Sequence, residues 1–347
     1  MKKFFAVAAS LILSAAMLTA CGSSAAPAAT TGAPETTAAA VTQAPETTEE
    51  TKSFHIAIVQ QLDHASLDEI RLAVEDELTK AAADKGFQVS YKEFNGQNDN
   101  TVLNQIGAQV VSDKYDAIIP IASLAAQCMV TAADGTNTPI IYAAVSDPAT
   151  AGLTDIPNVT GTSDALNTAF ILDMMLAAQP DVKTVGLLYS NSEANSQTPI
   201  AQAKEYLEQK GIAYIEKTGN STDEILTAAS SLVGRVEAVF TPTDNVVMAC
   251  EGAVAEILNQ AGIAHYTGAD SFVVAGAFTT SGVNYTELGT YTADMAVDIL
   301  LGGAVPEYHV MDGGIITVNT DTAEALGIDY SVFKTMANTV TEVTTVE

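Results

Sequence analysis

Val185-Gly186-Leu187-Leu188 is an apolar run, and the polar stretch Tyr189-Ser190-Asn191-Ser192-Glu193-Ala194-Asn195-Ser196 follows it directly. The run predicts a buried strand of a parallel sheet, and residues 200–209 beyond the polar stretch predict a helix. Ligands of open α/β sheets bind outside the carboxyl ends of the strands. The polar stretch is therefore a candidate binding loop, and a solvated loop with a helix N-cap is the alternative.

Strands and helices are predicted to alternate along most of the chain. The strands are predicted at 54–59, 87–94, 117–121, 139–142, 185–188, 213–216, 238–240, 264–266 and 315–318. Such alternation is typical of doubly wound parallel sheets that helices cover on both faces. At the start of the first helix, Ser66 with Glu69 predicts a capping box. Because the pattern occurs twice, we predict an α/β fold with two doubly wound parallel-sheet lobes.

The first twenty residues predict an export signal. Lys2 and Lys3 precede an apolar run at 4–17 that is too short for a stable membrane anchor. The following Leu18-Thr19-Ala20-Cys21 resembles the lipobox of bacterial lipoproteins, in which the signal is cut before a cysteine that becomes diacylated. Two acyl chains give stable anchoring. We therefore expect 1–20 to be a lipoprotein signal peptide and Cys21 to hold the protein on the outer face of the cell membrane.

The segments at either end of the folded part are rich in Thr and Glu. Residues 21–52 combine the lipidated cysteine with Ala, Thr, Pro, Ser and Glu, and we predict a disordered tether there. Residues 338–347 have a similar Thr and Glu content, and we predict a disordered tail. The part between them, about 54–337, is long enough for two domains.

The chain is strongly acidic, with 42 acidic and 14 basic residues and a formal net charge of −28. This balance argues against nucleic acid as a partner and against direct attraction to anionic lipid. Cys128 and Cys250 both lie in apolar, predicted helical segments, and we expect buried free thiols instead of a disulfide bond.

The sequence contains no recognisable catalytic or metal-binding motif. The four histidines are not paired at metal-ligand spacing, and nucleophile-elbow, P-loop and dinucleotide-binding patterns are absent. A small-molecule receptor without cofactor, metal or catalysis fits best. The alternative from a different class is a surface hydrolase, in which Asp63 and His64 meet a distant serine in space.

Several stretches at predicted strand ends match a known family. They are Ile58-Val59-Gln60 with His64, residues 121–127, Val145-Ser146-Asp147-Pro148, Gly161-Thr162-Ser163-Asp164, residues 189–196, Thr241-Pro242-Thr243-Asp244-Asn245 and Gly282-Val283-Asn284-Tyr285. Together with the lipobox and the tether, they resemble the type I substrate-binding lipoproteins of ABC importers. The resemblance is closest to the subfamily linked to tryptophan and tyrosine uptake, and it covers nearly the whole mature domain.

The resemblance implies an architecture and partners. Lobe 1 would contain 54–164 and about 277–305, and lobe 2 would contain 165–276 and about 306–337, with three crossings between them. The lobes would close on a hinge around the ligand. The protein would be a monomer that delivers a zwitterionic, aromatic amino acid to a membrane permease and its ATPase. A sensor that binds the ligand without transporting it is the alternative.

A zwitterionic ligand needs hydrogen-bond donors for its carboxylate and an acceptor for its ammonium group. Hydroxyl groups and backbone N–H groups at helix starts can serve the carboxylate. The candidates for this role are Ser123 and Ser146 with the N–H groups near Leu124 and Ala144. The candidates for the ammonium group are Asp270 first, and then Asp244 and Glu193.

The remaining predicted site residues are Gln60, Tyr189, Asn191, Asn195 and Asn245. Four of the candidates have a purely structural alternative. Ser146 fits a turn, Asp244 fits the N-cap of the next helix, Gln60 fits contacts within its own loop, and Tyr189 fits the wall between the lobes.

Overall fold

The structure, a computed structural model, describes residues 51–346, which belong to one compact unit. The predicted signal peptide, Cys21 and the predicted tether up to residue 50 lie outside the described residues. Within 51–346, no helix combines the length and the apolar character needed to cross a membrane.

Thirteen strands and eleven α-helices alternate in the described residues. The strands are β1 Ser53–Gln60, β2 Gln88–Asn95, β3 Ala117–Ile121, β4 Ile140–Tyr142, β5 Val159–Ser163, β6 Thr184–Tyr189, β7 Ala213–Thr218, β8 Ala238–Thr241, β9 Ala264–Thr267, β10 Thr279–Gly282, β11 His309–Val310, β12 Ile315–Asn319 and β13 Val340–Val343. The helices are α1 Ala65–Lys85, α2 Asn100–Asp113, α3 Ser123–Ala132, α4 Thr168–Ala178, α5 Ala194–Lys210, α6 Thr222–Leu232, α7 Asn245–Met248, α8 Glu251–Gln260, α9 Asp270–Val274, α10 Tyr285–Leu300 and α11 Thr320–Leu326. A short 3₁₀ helix lies at Ser331–Thr335.

Lobe 1 is a six-stranded parallel sheet in the order β11-β5-β4-β3-β1-β2. The central β3 is buried along its whole length, as expected for a strand covered on both faces. Helix α10 packs along α1, although about 200 residues separate them in sequence. Gly289 permits this contact, because a Cβ atom there would lie 2.6 Å from the carbonyl oxygen of Ile70.

Lobe 2 is a seven-stranded sheet in the order β13-β12-β10-β9-β8-β6-β7. All of its pairs are parallel except β10 with β12. The chain passes between the two sheets three times, at 164–167, 283–284 and 311–314. The predicted α/β class with two parallel-sheet lobes is therefore correct.

The predicted boundaries differ from the structure in three places. The predicted disordered tail, residues 338–347, is an ordered segment as far as residue 346. Its strand β13 pairs with β12, and the N–H of Val346 donates to the carbonyl oxygen of Val274. Strand β10, which was predicted for lobe 1, pairs with β9 and β12 of lobe 2. Strand β11, which was predicted for lobe 2, pairs with β5 of lobe 1.

The predicted capping box at the start of α1 is also wrong. The N-cap is His64, without a side-chain cap, and the Ser66 hydroxyl instead donates to the hydroxyl of Ser271 in lobe 2 at 2.7 Å. Glu69 accepts hydrogen bonds from the N–H and hydroxyl groups of Thr286, at 2.9 and 2.6 Å. Ser66 therefore connects α1 to lobe 2, and Glu69 connects α1 to α10.

Candidate functional site

Residues that follow the carboxyl ends of the strands in both lobes line one cavity in the cleft between the lobes. Its space for water-sized molecules is about 30 Å³. The lobe 1 lining is His64, Ser66, Leu67, Ala122, Ser123, Ala144, Ser146, Asp164 and Tyr285, and the lobe 2 lining is Asn195, Thr243, Asp244, Asn245, Met248, Ala269, Ser271 and Phe272. This is the position at which open α/β sheets bind ligands. It is therefore the candidate ligand site.

A larger groove of about 720 Å³ lies elsewhere, along the crossover segments and the residues just before β13. Its lining carries one charged side chain, Lys334, which pairs with Glu342 at 3.5 Å. Few side chains from strand ends converge there, and the cleft cavity is therefore the better candidate for the ligand site.

Two unusual backbone conformations form the lobe 1 wall of the cavity. Ala122 has φ 77° and ψ 161°, and Ala144 has φ 54°. Such conformations cost alanine on the order of 1–3 kcal/mol and cluster at ligand sites. Ala122 places Ser123, the first residue of the ten-residue helix α3, at the cavity wall. The start of a helix favours a negatively charged group.

Asp164 is the carboxylate at the base of the lobe 1 wall. It directly follows β5, is 4% exposed, and accepts hydrogen bonds from the hydroxyls of Ser146 at 2.8 Å and Tyr285 at 3.2 Å. Burial raises the pKa of the Asp164 carboxyl, and the two hydrogen bonds oppose that rise. A cationic group entering the cavity would stabilise its ionised form.

Asp244 organises the lobe 2 wall. It is fully buried, and its Oδ1 accepts from the N–H groups of Val246 and Val247 at 3.1 Å each, as the N-cap of α7. Its Oδ2 accepts from the N–H of Ser190 at 2.7 Å and the hydroxyl of Ser196 at 2.6 Å. Four donors therefore occupy this carboxylate, which makes it a weaker candidate for the ammonium group than its position alone indicated.

Glu193 lies where the polar stretch of lobe 2 meets lobe 1. It is 3% exposed and accepts from Gln61 of lobe 1 at 3.0 Å and from Asn245 of lobe 2 at 2.7 Å. Burial, together with the charge of Asp244, raises the pKa of Glu193 to about 7. Both of its carboxylate oxygens are engaged, and it does not line the cavity.

Further hydrogen bonds connect the lobes directly. His64 Nε2 lies 3.0 Å from Asn245 Oδ1, and the hydroxyls of Ser146 and Thr243 lie 3.1 Å apart. At the rim, Thr198 of lobe 2 donates to Asp147 of lobe 1 at 2.6 Å. With the Ser66–Ser271 and Gln61–Glu193 pairs, the cleft is closed by polar contacts.

Six of the twelve predicted ligand-binding residues line the cavity. They are Ser123, Ala144, Ser146, Asn195, Asp244 and Asn245. Among these, Ser146 is bonded to Asp164, Asn245 to Glu193, and the Asn195 amide to the carbonyl oxygen of Thr243.

The other predicted residues lie outside the cavity lining. Gln60 donates to Asp68 and to the carbonyl oxygen of Leu62, both at 2.7 Å, within its own part of lobe 1. The N–H of Leu124 donates a hydrogen bond to the side-chain oxygen of Gln61 at 3.1 Å. Asp270 is half-buried as the first residue of α9, and burial raises its pKa.

Tyr189 and Asn191 point to the neighbouring strand β7 and away from the cavity. The Tyr189 hydroxyl donates to Glu216 at 2.9 Å, and burial with this bond raises the pKa of Tyr189 to about 12. The exposed Asn191 amide donates to Thr218 at 3.1 Å. The structure therefore does not bring these two side chains to the cavity, and their role as ligand contacts stays a prediction.

Sequence reasoning did not predict eleven of the seventeen lining residues as ligand contacts, among them Asp164, Tyr285 and Phe272, and it did not predict Gln61, which bonds Glu193. Asp164 ends the stretch Gly161-Thr162-Ser163-Asp164 at a strand end, which is the signal that could have identified it. Gln61 is the neighbour of the predicted Gln60, and adjacent residues of an extended strand point to opposite faces.

Two α/β lobes with a polar cleft at the strand ends form the arrangement in which open α/β sheets bind small molecules. The chain belongs to the ABC transporter substrate-binding protein family, whose family model matches residues 55–339. Members of this family are extracytoplasmic proteins that bind a small molecule and supply it to an ABC transporter. A tyrosine-binding protein of Clostridioides difficile (strain R20291) is 32% identical over 290 residues, covering 80% of this chain and 82% of the relative.

Two solved structures are also similar to this chain. A Streptococcus pneumonia domain in complex with L-Trp has a TM-score of 0.77 at 29% identity, covering 84% of this chain and 100% of that chain. A ligand-free, open substrate-binding protein of Clostridium difficile with adhesive properties has a TM-score of 0.64 at 33% identity, with the same coverage. The L-Trp complex has the higher TM-score although its sequence is less identical than that of the open, ligand-free protein. This difference agrees with the contacts between the two lobes in the present structure.

Proposed function

We propose that this protein is the lipid-anchored receptor of an ABC importer and captures an aromatic amino acid in the cleft between its lobes. The observation that carries the proposal is the lining of one cavity by the buried Asp164 carboxylate and by the start of α3 at Ser123. The tyrosine-binding relative and the L-Trp complex support the aromatic class.

The polar part of the cavity fits the two charges of an amino acid. Asp164 would accept the ammonium group, because it is a cavity-lining carboxylate with two hydroxyl partners that leave room for a cationic donor. Asp270, the first candidate from the sequence, lies outside the cavity lining. Ser123 with the first turn of α3 would receive the carboxylate, as the sequence indicated.

The apolar lining of the cavity suits an aromatic ring by its chemistry. Leu67, Met248 and Phe272 line it, and Met and aromatic side chains pack favourably against rings. The present space of about 30 Å³ accommodates only a few water molecules, since one water needs roughly 10–15 Å³ on this measure. An amino acid would therefore enter through separation of the lobes about the three crossovers.

The anchor is the second part of the proposal. We propose that residues 1–20 are a lipoprotein signal peptide, that Cys21 carries the lipid, and that the following segment tethers a monomeric receptor to the outer membrane face. Incorporation of a palmitate analogue into the wild-type protein, with none into Cys21→Ala, is the expected result. Labelling of both proteins would exclude this anchor.

A thermal-shift screen of purified residues 22–347 tests the ligand. We expect at least one of tyrosine, tryptophan and phenylalanine to raise Tm by roughly 10 °C at 1,000 times its Kd, with no turnover. Nucleosides, sugars and the other amino acids serve as comparisons. A screen in which no aromatic amino acid shifts Tm would overturn the proposal.

The alternatives make different predictions. A sensor without transport would bind the same ligand, and uptake in cells that lack this protein would then be unchanged. A surface hydrolase gains no support from His64, because the side chain that its ring contacts is Asn245. Turnover that disappears in His64→Ala would nevertheless establish that function.

A further inference from the structure

His64 lines the cavity, and only one of its two ring nitrogens has a hydrogen-bond partner among the described residues. The ring follows β1, lines the cavity from lobe 1, and contacts Asn245 Oδ1 through Nε2 at 3.0 Å. Its Nδ1 is buried and has no hydrogen-bond partner among residues 51–346. A buried polar atom without a partner costs on the order of 1–3 kcal/mol, so this nitrogen needs an explanation.

The neighbours of His64 determine which of its nitrogens carries the proton. The Asn245 amide nitrogen donates to Glu193 Oε2 at 2.7 Å, so the Asn245 oxygen faces His64. His64 Nε2 must therefore donate. Burial lowers the pKa of His64, although Asn245, Asp68 and Asp63 oppose this, and the ring is neutral near pH 7. Its Nδ1 then has a free lone pair and can only accept a hydrogen bond.

His64 directly precedes α1, whose first residues Ser66 and Leu67 also line the cavity. The contacts Ser66–Ser271 at 2.7 Å and Ser271–Met248 at 3.3 Å connect the first turn of α1 to α7 and α9, which contribute Met248 and Phe272. Asp164 forms a separate cluster with Ser146 and Tyr285. An amino acid whose ammonium group pairs with Asp164 would extend its side chain toward the His64 end.

We propose that His64 determines ligand specificity by accepting a hydrogen bond from a donor on the ligand's aromatic ring. The inference rests on the proposed function and deepens it. A phenol hydroxyl or an indole N–H can donate to Nδ1, whereas a phenyl ring would leave that nitrogen unpaired in a closed cleft. Sites built around a ligand donor discriminate strongly against the analogue that lacks it. Tyrosine and tryptophan, or one of them, should therefore bind better than phenylalanine.

Calorimetric titration of wild type, His64→Leu and His64→Asn with L-tyrosine, L-tryptophan and L-phenylalanine tests this proposal. In wild type, the better of the two donor ligands should bind at least about 10-fold more tightly than phenylalanine. His64→Leu should reduce this ratio to about threefold or less, mainly by weakening the donor ligand. His64→Asn, which keeps a polar group near the Nδ1 position, should recover part of the ratio.

The matched control is His309→Leu, which removes a lobe 1 histidine that stacks on Tyr291 at 4.2 Å outside the cavity. It should keep the wild-type ratio. An unchanged ratio in folded His64→Leu, or equal wild-type affinity for all three ligands, would overturn the inference and leave the proposed function intact. If His64→Leu does not fold, an unchanged ratio in folded His64→Ala would overturn it. Failure of wild type to bind any of the three ligands would instead overturn the proposed function.

Discussion

Replacing Glu193 by glutamine should remove a defined part of the pH dependence of stability. Glu193 is buried between Gln61 and Asn245, and its pKa is about 7 in place of 4.5. The folded protein therefore binds this proton more tightly than the unfolded chain does. The resulting stabilisation is fully present below pH 4.5 and is lost as the pH rises through 7.

The magnitude follows from the difference of 7 − 4.5 = 2.5 pKa units. At 1.36 kcal/mol per unit the limit is about 3 kcal/mol, and most of it falls between pH 5 and pH 8. Glutamine cannot ionise, so this contribution is absent in Glu193→Gln. The variant should gain roughly 2–3 kcal/mol relative to wild type on going from pH 5 to pH 8, whatever its starting stability.

Denaturant unfolding of both proteins at pH 5, 6, 7 and 8 measures the change. The comparison cancels the contribution of Asp164, whose raised pKa is present in both proteins. The exposed Glu307 provides the matched control, and Glu307→Gln should keep a constant difference from wild type. A difference between Glu193→Gln and wild type that stays constant from pH 5 to pH 8 would refute the described burial of this carboxylate.

Three other predictions concern the site, the last strand and the cysteines. Asp164→Asn should weaken amino-acid binding roughly 10- to 100-fold in a calorimetric titration, because a buried charge-assisted hydrogen bond to the ammonium group is lost; unchanged affinity would contradict its assigned role. Deletion of residues 338–347 removes β13 and should lower Tm by about 5 °C or more in calorimetry, whereas a truly disordered tail would leave Tm unchanged. Cys128 and Cys250 are buried, and burial raises both thiol pKa values, that of Cys250 to about 12. Both should resist a thiol reagent at pH 8 until denaturant unfolds the protein, and rapid labelling of the native protein would show that they are accessible.

The alternation of strands and helices was readable from sequence because it depends on local patterns. Runs such as Ile118-Ile119 are buried on both faces, and glycines such as Gly86 and Gly211 end their helices in the left-handed conformation. Assignment of short strands to lobes was not readable. Strand β11 has two residues, and only its pairing with β5 places it in lobe 1.

The tail was misjudged because composition is a weak guide for a short edge strand. Residues 338–346 are as rich in Thr and Glu as a disordered segment, yet β13 lies in parallel register on β12, from Ile316 with Val340 to Asn319 with Val343. Thr is common in strands, and an edge strand needs few apolar side chains.

At the site, position in the fold was more predictable than the direction of each side chain. The sequence located the strand-end loops, but a shift of one residue separates Gln60, bonded within lobe 1, from Gln61, which reaches Glu193. The role of Asp164 depends on Tyr285, which is 121 positions away in sequence. Local patterns contain no information about such a pair.

The two ends of the described chain belong to different lobes, since β1 is in the sheet of lobe 1 and β13 is in the sheet of lobe 2. A change in the angle between the lobes therefore changes the distance between these ends. Fluorescent proteins fused before Ser53 and after the last residue would convert ligand capture into a change in energy transfer, without any alteration of the cleft. The order of strands thus makes this receptor suitable as the core of a genetically encoded amino-acid sensor.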